Sequence, residues 1–208
     1  MRSKVDISQL ASKNDTSLVQ RSFGFVDLCG FCDFADSQGD DPAAGELGKL
    51  RQSIRETAGR FGVRIDKWLG DGAMLVGVEN EALVCAVVAI TEVHSVRGDL
   101  PLRAGVACGQ VLLLEGDDYV GRPVNLAARL CDHALPGQVL ASREGLRLPG
   151  WVEVKSKTTL QIRGFAEPTR VVALGTSQNG GTAREQRGLS SIVDGLTQPI
   201  RTLLGTRS

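Results

Sequence analysis

The sequence has no surplus of either charge: 24 lysines and arginines stand against 24 aspartates and glutamates, for a formal net charge of zero. A chain so balanced has no general electrostatic hold on nucleic acid or on an anionic membrane, so neither is an expected partner. Long hydrophobic runs are missing as well. The longest, Ala82–Ile90, is nine residues, too short to span a bilayer. The opening MRSKVDISQLASKND has no apolar signal core, and a cytoplasmic location is expected. Histidine is scarce, with only His94 and His133. The five cysteines are odd in number and scattered, which speaks against a disulfide framework. Cys29-Gly30-Phe31-Cys32 is formally a CxxC, but without a second pair it is a poor zinc site and no better a redox pair. What the chain does have is 42% hydrophobic and 23% charged residues over 208 positions. That is enough for one folded domain with extra elements, and it excludes global disorder.

Patterning divides the chain into a polar leader over 1–20, a domain over 21–174, and a linker with a short amphipathic segment over 175–208. Ser22–Asp27 alternates like a strand. Ser37–Ala43, SQGDDPA, reads as a loop. Leu47, Leu50, Ile54, Ala58 and Phe61 then step at helical spacing up to a terminating Gly62. Val63–Trp68 and Ala73–Val78 read as a hairpin turning at Gly70-Asp71-Gly72. Glu79–Val96 is a broadly apolar helix. Leu102–Cys108 and Gln110–Leu114 read as two strands parted by Gly109, and Pro123–Ala134 as a helix with proline in its first turn. Val139-Leu140, Trp151–Val154, Leu160–Arg163 and Arg170–Ala173 complete the strands. The order predicts an α+β fold, a mostly antiparallel sheet with helices on one face.

Several polar residues stand where structure alone does not ask for them. Asp27 ends a hydrophobic strand, and Asp71 sits at a glycine-flanked hairpin tip. Two carboxylates at neighbouring strand ends form a hard oxygen site suited to Mg²⁺ or Mn²⁺. Taken singly, Asp71 is equally a turn residue and Asp27 a helix cap. Gly30, Phe31 and Cys32 should open a short helix whose free N–H groups cradle phosphate. Asn125 and Arg129 share one helix face at i, i+4, where an amide and a guanidinium can orient a sugar and neutralise a phosphoryl group. Lys67 and Asp118 can read adenine: the acid accepts from the exocyclic amine and the lysine donates to the ring nitrogen. Guanine presents the reverse pattern.

Together these segments resemble the class III adenylyl cyclases. Phe25-Val26-Asp27-Leu28-Cys29-Gly30-Phe31 is similar to the family's first metal motif, and Lys67-Trp68-Leu69-Gly70-Asp71-Gly72 to its Lys-x-x-Gly-Asp hairpin. Arg103–Gly109 resembles the Arg-x-Gly stretch that follows. Asp118–Arg129 matches the base-reading acid and the Asn-x-x-x-Arg helix, and Ile162-Arg163-Gly164-Phe165 resembles the closing segment. The resemblance runs in register from about Ser22 to Leu174 and looks like a bacterial single-domain type. It implies a ferredoxin-like, palm-type fold that converts ATP to 3′,5′-cyclic AMP and pyrophosphate. Asp27 and Asp71 would hold two divalent metal ions. Asn125 and Arg129 would be catalytic. Lys67 and Asp118 would choose adenine, and Arg163 would contact the triphosphate. It further implies a head-to-tail homodimer with two composite sites, in which Lys67 and Asp71 share one hairpin yet serve opposite sites. Cys32 stands where the family usually has Thr or Ser. The competing readings are a silent cyclase-like module that dimerises or senses nucleotide, and a guanylyl cyclase. The first would be expected to lack one of the six key residues, and the second to carry Glu at position 67.

Overall fold

A computed structural model of the chain describes residues 16–177. In chain order the elements are β1 (Thr16–Leu28), α1 (Phe31–Gln38), α2 (Asp40–Arg60), β2 (Arg64–Trp68), β3 (Gly72–Gly77) and α3 (Asn80–Arg97). They continue with β4 (Leu102–Leu114), β5 (Asp118–Val120), α4 (Arg122–His133), β6 (Val139–Ser142), β7 (Val152–Leu160) and β8 (Thr169–Thr176). The strands form one sheet in the order β2-β3-β1-β4-β6-β8-β7, with β5 paired to the far end of β4. Every pairing is antiparallel except β4 with β6. The α+β class and the mostly antiparallel sheet are as expected.

The helices are not all on one face. Leu50, Ile54 and Ala58 of α2 and the apolar body of α3 pack with Val26, Leu75, Ala104 and Val106 on one side. Leu126, Ala127 and Leu130 of α4 pack with Phe23, Met74, Val76 and Ala107 on the other. The sheet is therefore covered on both sides, which is why all six residues of β3 are buried. Phe23, Leu75 and Ile90 are wholly shut from solvent, and each such side chain contributes about 1.5–3 kcal/mol of burial free energy.

Three further local expectations are corrected. SQGDDPA is not a loop. Gly39 separates α1 from α2, and Asp40, Asp41 and Pro42 form the first turn of α2, where acids favour the helix dipole and proline loses no helical hydrogen bond. Leu102–Cys108 and Gln110–Leu114 are not two strands but the single strand β4, paired with β1 without interruption. Gly109 is a point of close approach and not a break, since a Cβ there would come within 2.8 Å of the Pro123 ring at the start of α4. Leu160–Arg163 is not a strand: β7 ends at Leu160, and the chain turns, with the Phe165 N–H donating to the Ile162 carbonyl at 3.0 Å. The expected end of α2 holds. Gly62 has a φ of 65°, and the Val63 N–H returns to the Ala58 carbonyl at 3.0 Å, as in a Schellman cap.

Residues 16–20, expected in the leader, are strand residues of β1. The rest of the leader, and the amphipathic segment expected near the C-terminus, lie outside the described residues. Among those described, no helix is long and apolar enough to cross a membrane.

Candidate active site

Asp27 and Asp71 meet because β1 and β3 are paired in a fixed register. Asp27 lies opposite Gly72, so the residue at the hairpin tip falls beside the strand end. The Leu28 N–H donates to the Asp71 carbonyl oxygen at 3.1 Å, which ties the two segments. Gly72 has to be small: a Cβ would come within 2.6 Å of the Val26 carbonyl oxygen and 3.1 Å of Asp27 Oδ1. Burial pushes the Asp27 carboxyl above the ordinary aspartate range. The Arg103 hydrogen bonds oppose that, and the neighbouring Asp71 charge adds to it. A carboxylate whose charge is made costlier by a second one beside it, in a corner that offers hard oxygens, fits a divalent cation.

Directly after Asp27 the chain turns at Gly30, with φ 77°, into α1. No side chain caps that helix, so the first N–H groups around Phe31 and Cys32 are open to a ligand. Cys32 is exposed and Cys29 half-buried, and neither is in a disulfide. Burial raises the Cys29 thiol above its usual range, so it stays protonated at neutral pH and supplies no thiolate.

Lys67 and Asp118 form a second group. Lys67 Nζ stands 2.7 Å from Asp118 Oδ1, with both side chains about half exposed. The pairing joins β2 to the hairpin that closes with β5. Arg64 reinforces this approach: its Nη2 donates to the Tyr119 hydroxyl at 3.4 Å, its guanidinium covers the Tyr119 ring at 5.6 Å, and it bonds Asp66. Tyr119 in turn meets Phe23 edge to face at 5.4 Å. The Asp118 carboxyl is held below, and the Lys67 ammonium above, its usual range by the hydrogen bond between them. The pair is thus a charged donor and a charged acceptor facing solvent. One hairpin therefore gives Lys67 to Asp118 and Asp71 to Asp27.

Asn125 and Arg129 lie on α4 and line a cavity of about 650 Å³ together with Arg122, Arg163, Gly164 and Phe165. Arg163 reaches it from the turn after β7. The Arg122 guanidinium lies over the Phe165 ring at 4.8 Å, which fixes one wall. Arg129 Nη1 is 3.2 Å from Asp132 Oδ2, and the Arg129 carbonyl oxygen contacts His133 Nδ1 at 2.9 Å. The cavity thus brings together three residues expected from the sequence, and Asp27 and Asp71 are not among its lining residues.

Arg103, to which the sequence assigned no role, also belongs to the aspartate corner. β1–β4 pairing sets it opposite Asp27. Its Nε and Nη2 both donate to Asp27 Oδ2, at 2.9 and 2.7 Å, and its Nη1 reaches the Asp132 carbonyl at 3.4 Å. It holds one carboxylate oxygen of Asp27 and leaves Oδ1 free of that contact. The signal was present, a cation flanked by buried strand residues, but its partner is legible only from the register. Among the described residues no group of three or more His, Cys, Asp or Glu side chains is arranged to hold a metal ion.

No family model matches the chain. An uncharacterized protein of Mycobacterium tuberculosis (strain H37Rv) is 37% identical over 164 residues, covering 77% of this chain and 43% of that protein. Adenylate cyclase 2 of Rhizobium meliloti is 31% identical over 196 residues, covering 81% of this chain and 54% of its own length. The chain thus spans about half or less of the curated relatives it matches. Among solved structures, the adenylyl cyclase CyaB from P. aeruginosa superposes with a TM-score of 0.69 at 22% identity, over 79% of this chain and 98% of that one. The chain is thus similar in sequence to proteins named adenylate cyclases, and it shares the fold of adenylyl and guanylyl cyclase catalytic domains.

Proposed function

We propose that the chain is an adenylate cyclase catalytic domain that converts ATP to 3′,5′-cyclic AMP and pyrophosphate, in a head-to-tail homodimer. The observation that carries this reading is the Lys67–Asp118 pair at 2.7 Å. It sets one charged donor beside one charged acceptor, the complement of the adenine edge with Asp118 on the exocyclic amine and Lys67 on the ring nitrogen; in that same pose a guanine edge would leave both groups facing their own kind. The likeness to Adenylate cyclase 2 of Rhizobium meliloti supports the same choice.

Asp27 and Asp71 are the residues that would hold Mg²⁺ or Mn²⁺. When bound, such ions activate a ribose hydroxyl and neutralise the charge of a triphosphate. Arg103 keeps Asp27 Oδ2 fixed, so the carboxylate is already aimed. The N–H groups of Phe31 and Cys32 receive phosphate oxygens at the start of α1. Arg129 neutralises the α-phosphate as the 3′-oxygen attacks in line and pyrophosphate departs. Asn125 orients the ribose from one turn earlier on the same helix face. Arg163, which lines the same cavity, contacts the triphosphate. Composite sites are needed because the Asn125–Arg129 cavity and the aspartate corner are separate features of one chain. A two-fold axis then makes two equivalent sites.

Incubation with ATP, and separately with GTP, in Mn²⁺ or Mg²⁺ tests the reaction by chromatography of the products, with Asp71→Ala as the blank. Cyclic AMP from the parent chain alone is expected. Cyclic GMP as the main product would overturn the assignment of Lys67 and Asp118. No product from folded dimer would favour a silent module.

A further inference from the structure

Glu46 is a carboxylate in the wrong place for a carboxylate. It lies on α2 and is 1% exposed. A buried acid persists only where something compensates it. Its Oε1 accepts the Asp99 N–H at 2.9 Å and the Leu100 N–H at 3.1 Å. Lys49 Nζ stands 3.2 Å from its Oε2 and also bonds Asp99 Oδ2 at 2.6 Å. The ring of His94, fully buried on α3, approaches Oε1 at 3.4 Å. Gly98 completes the cluster, because a Cβ there would strike both the His94 ring and Glu46 Oε1.

The pinned segment, 98–101, joins α3 to β4 and runs straight to the aspartate corner. The Pro101 carbonyl accepts the Cys29 N–H at 2.9 Å. Leu102 and Arg103 then pair with Leu28 and Asp27, and Arg103 clamps Asp27 Oδ2. If Glu46 only tied α2 to α3, an apolar contact would serve as well or better. What no apolar side chain can do is accept two successive backbone N–H groups.

We propose that Glu46 is a positioning residue for the metal-binding corner. By holding the Asp99 and Leu100 amides it fixes the Pro101 carbonyl on Cys29 and the entry of β4, and so sets the placement of Asp27 and of the turn at Gly30. It touches neither metal nor nucleotide. The metal-requirement part of this inference rests on the cyclase reading; the structural part does not.

The test compares Glu46→Ala, Glu46→Gln and Leu50→Ala. Leu50 is a core residue of the same helix with no bond to the segment. Two readouts are taken: residue-resolved amide hydrogen exchange, and the Mn²⁺ concentration giving half-maximal cyclic nucleotide formation. In Glu46→Ala the Asp99, Leu100 and Cys29 amides should exchange about tenfold faster, the scale of one lost charged hydrogen bond. The half-maximal Mn²⁺ should rise by about the same factor, with the rate at saturating Mn²⁺ changed by no more than about twofold. Glu46→Gln keeps an oxygen acceptor and should fall between. Leu50→Ala should speed exchange broadly without singling out Cys29. Faster exchange at Asp99 and Leu100 with Cys29 unchanged would overturn the proposal. So would a lost maximal rate with an unshifted Mn²⁺ requirement. A parent chain that makes no cyclic nucleotide defeats the cyclase reading alone, and Cys29 exchange still decides this one. If Glu46→Ala does not fold, Glu46→Gln carries the same comparison.

Discussion

Asp27 stands under opposed influences that make it the most informative single residue. Burial and Asp71 raise its pKa, while Arg103 lowers it, and the net direction is upward. A carboxyl whose folded pKa exceeds its unfolded value stabilises the fold most below the unfolded value. That contribution is lost as pH rises through the folded one. Ionising Asp27 in the fold therefore carries a cost, and a divalent cation bound beside it would offset that cost. Mn²⁺ should raise the melting temperature at neutral pH and do so progressively less on acidification toward the carboxylate range. A stabilisation that does not weaken with acid would contradict the assignment. Asp71→Asn removes one of the raising influences, so Asp27 should titrate lower in that variant, read from its carboxyl carbon by NMR. An unchanged or higher value would refute the pairing of the two acids. Lys67 is a different case. Its ion pair with Asp118 is exposed, and exposed pairs add little to stability. Lys67→Ala should leave the melting temperature close to that of the parent chain and raise the KM for ATP about tenfold or more, for one lost charged contact. A large fall in stability with an unchanged KM would recast the pair as structural.

At the scale of elements, α4 is held to the sheet by close backbone approach as much as by side chains. A Cβ at Gly105 would collide with the Ala127 carbonyl and the Cys131 amide of that helix. Backbone cannot yield as a flexible side chain does, so Gly105→Ala should cost about 3 kcal/mol in urea unfolding. A loss below about 1 kcal/mol would mean that α4 is free to move. The α2–α3 contact has its own signature. Burial lowers the His94 pKa, with Glu46 opposing. A histidine depressed in the fold contributes stability above its unfolded pKa and loses it as pH falls toward the folded one. Melting temperature should therefore drop as pH falls below about 6.5, and less steeply in His94→Gln. Equal slopes would exclude His94 as the source. The same elements show what the sequence could and could not carry. The hairpin tip at Asp71, the helix face of Asn125 and Arg129 and the turn at Gly30 are local features, legible from spacing and turn chemistry. The first turn of α2 was misread because Gly, Asp and Pro are at once loop residues and helix-start residues. The second helical layer was missed because an amphipathic stripe says that α4 is covered, not which face of the sheet covers it. The uninterrupted apolar run of β3 was the available sign. Arg103 on Asp27 and the Glu46 cluster depend on register and on segments far apart in sequence, and no local pattern encodes them.

At the scale of the whole molecule, the account requires two chains per pair of sites. The Lys67–Asp118 pair and the Asn125–Arg129 cavity are complete within one chain, and so is the Asp27–Asp71 corner. Catalysis is expected only where one chain's corner faces another chain's cavity. Specific activity should therefore fall on dilution through the range in which dimers dissociate, as mass action requires. A flat profile across that range would argue for a site within one chain. The most direct measurement mixes two variants, Asp71→Ala and Arg129→Ala, each expected to be inactive with ATP and Mn²⁺. In the mixed dimer one site carries both lesions, and the other joins an intact corner to an intact cavity. The account predicts cyclic AMP from the mixture and from neither variant alone. An active parent chain with a silent mixture, once subunit exchange has been verified, would contradict it.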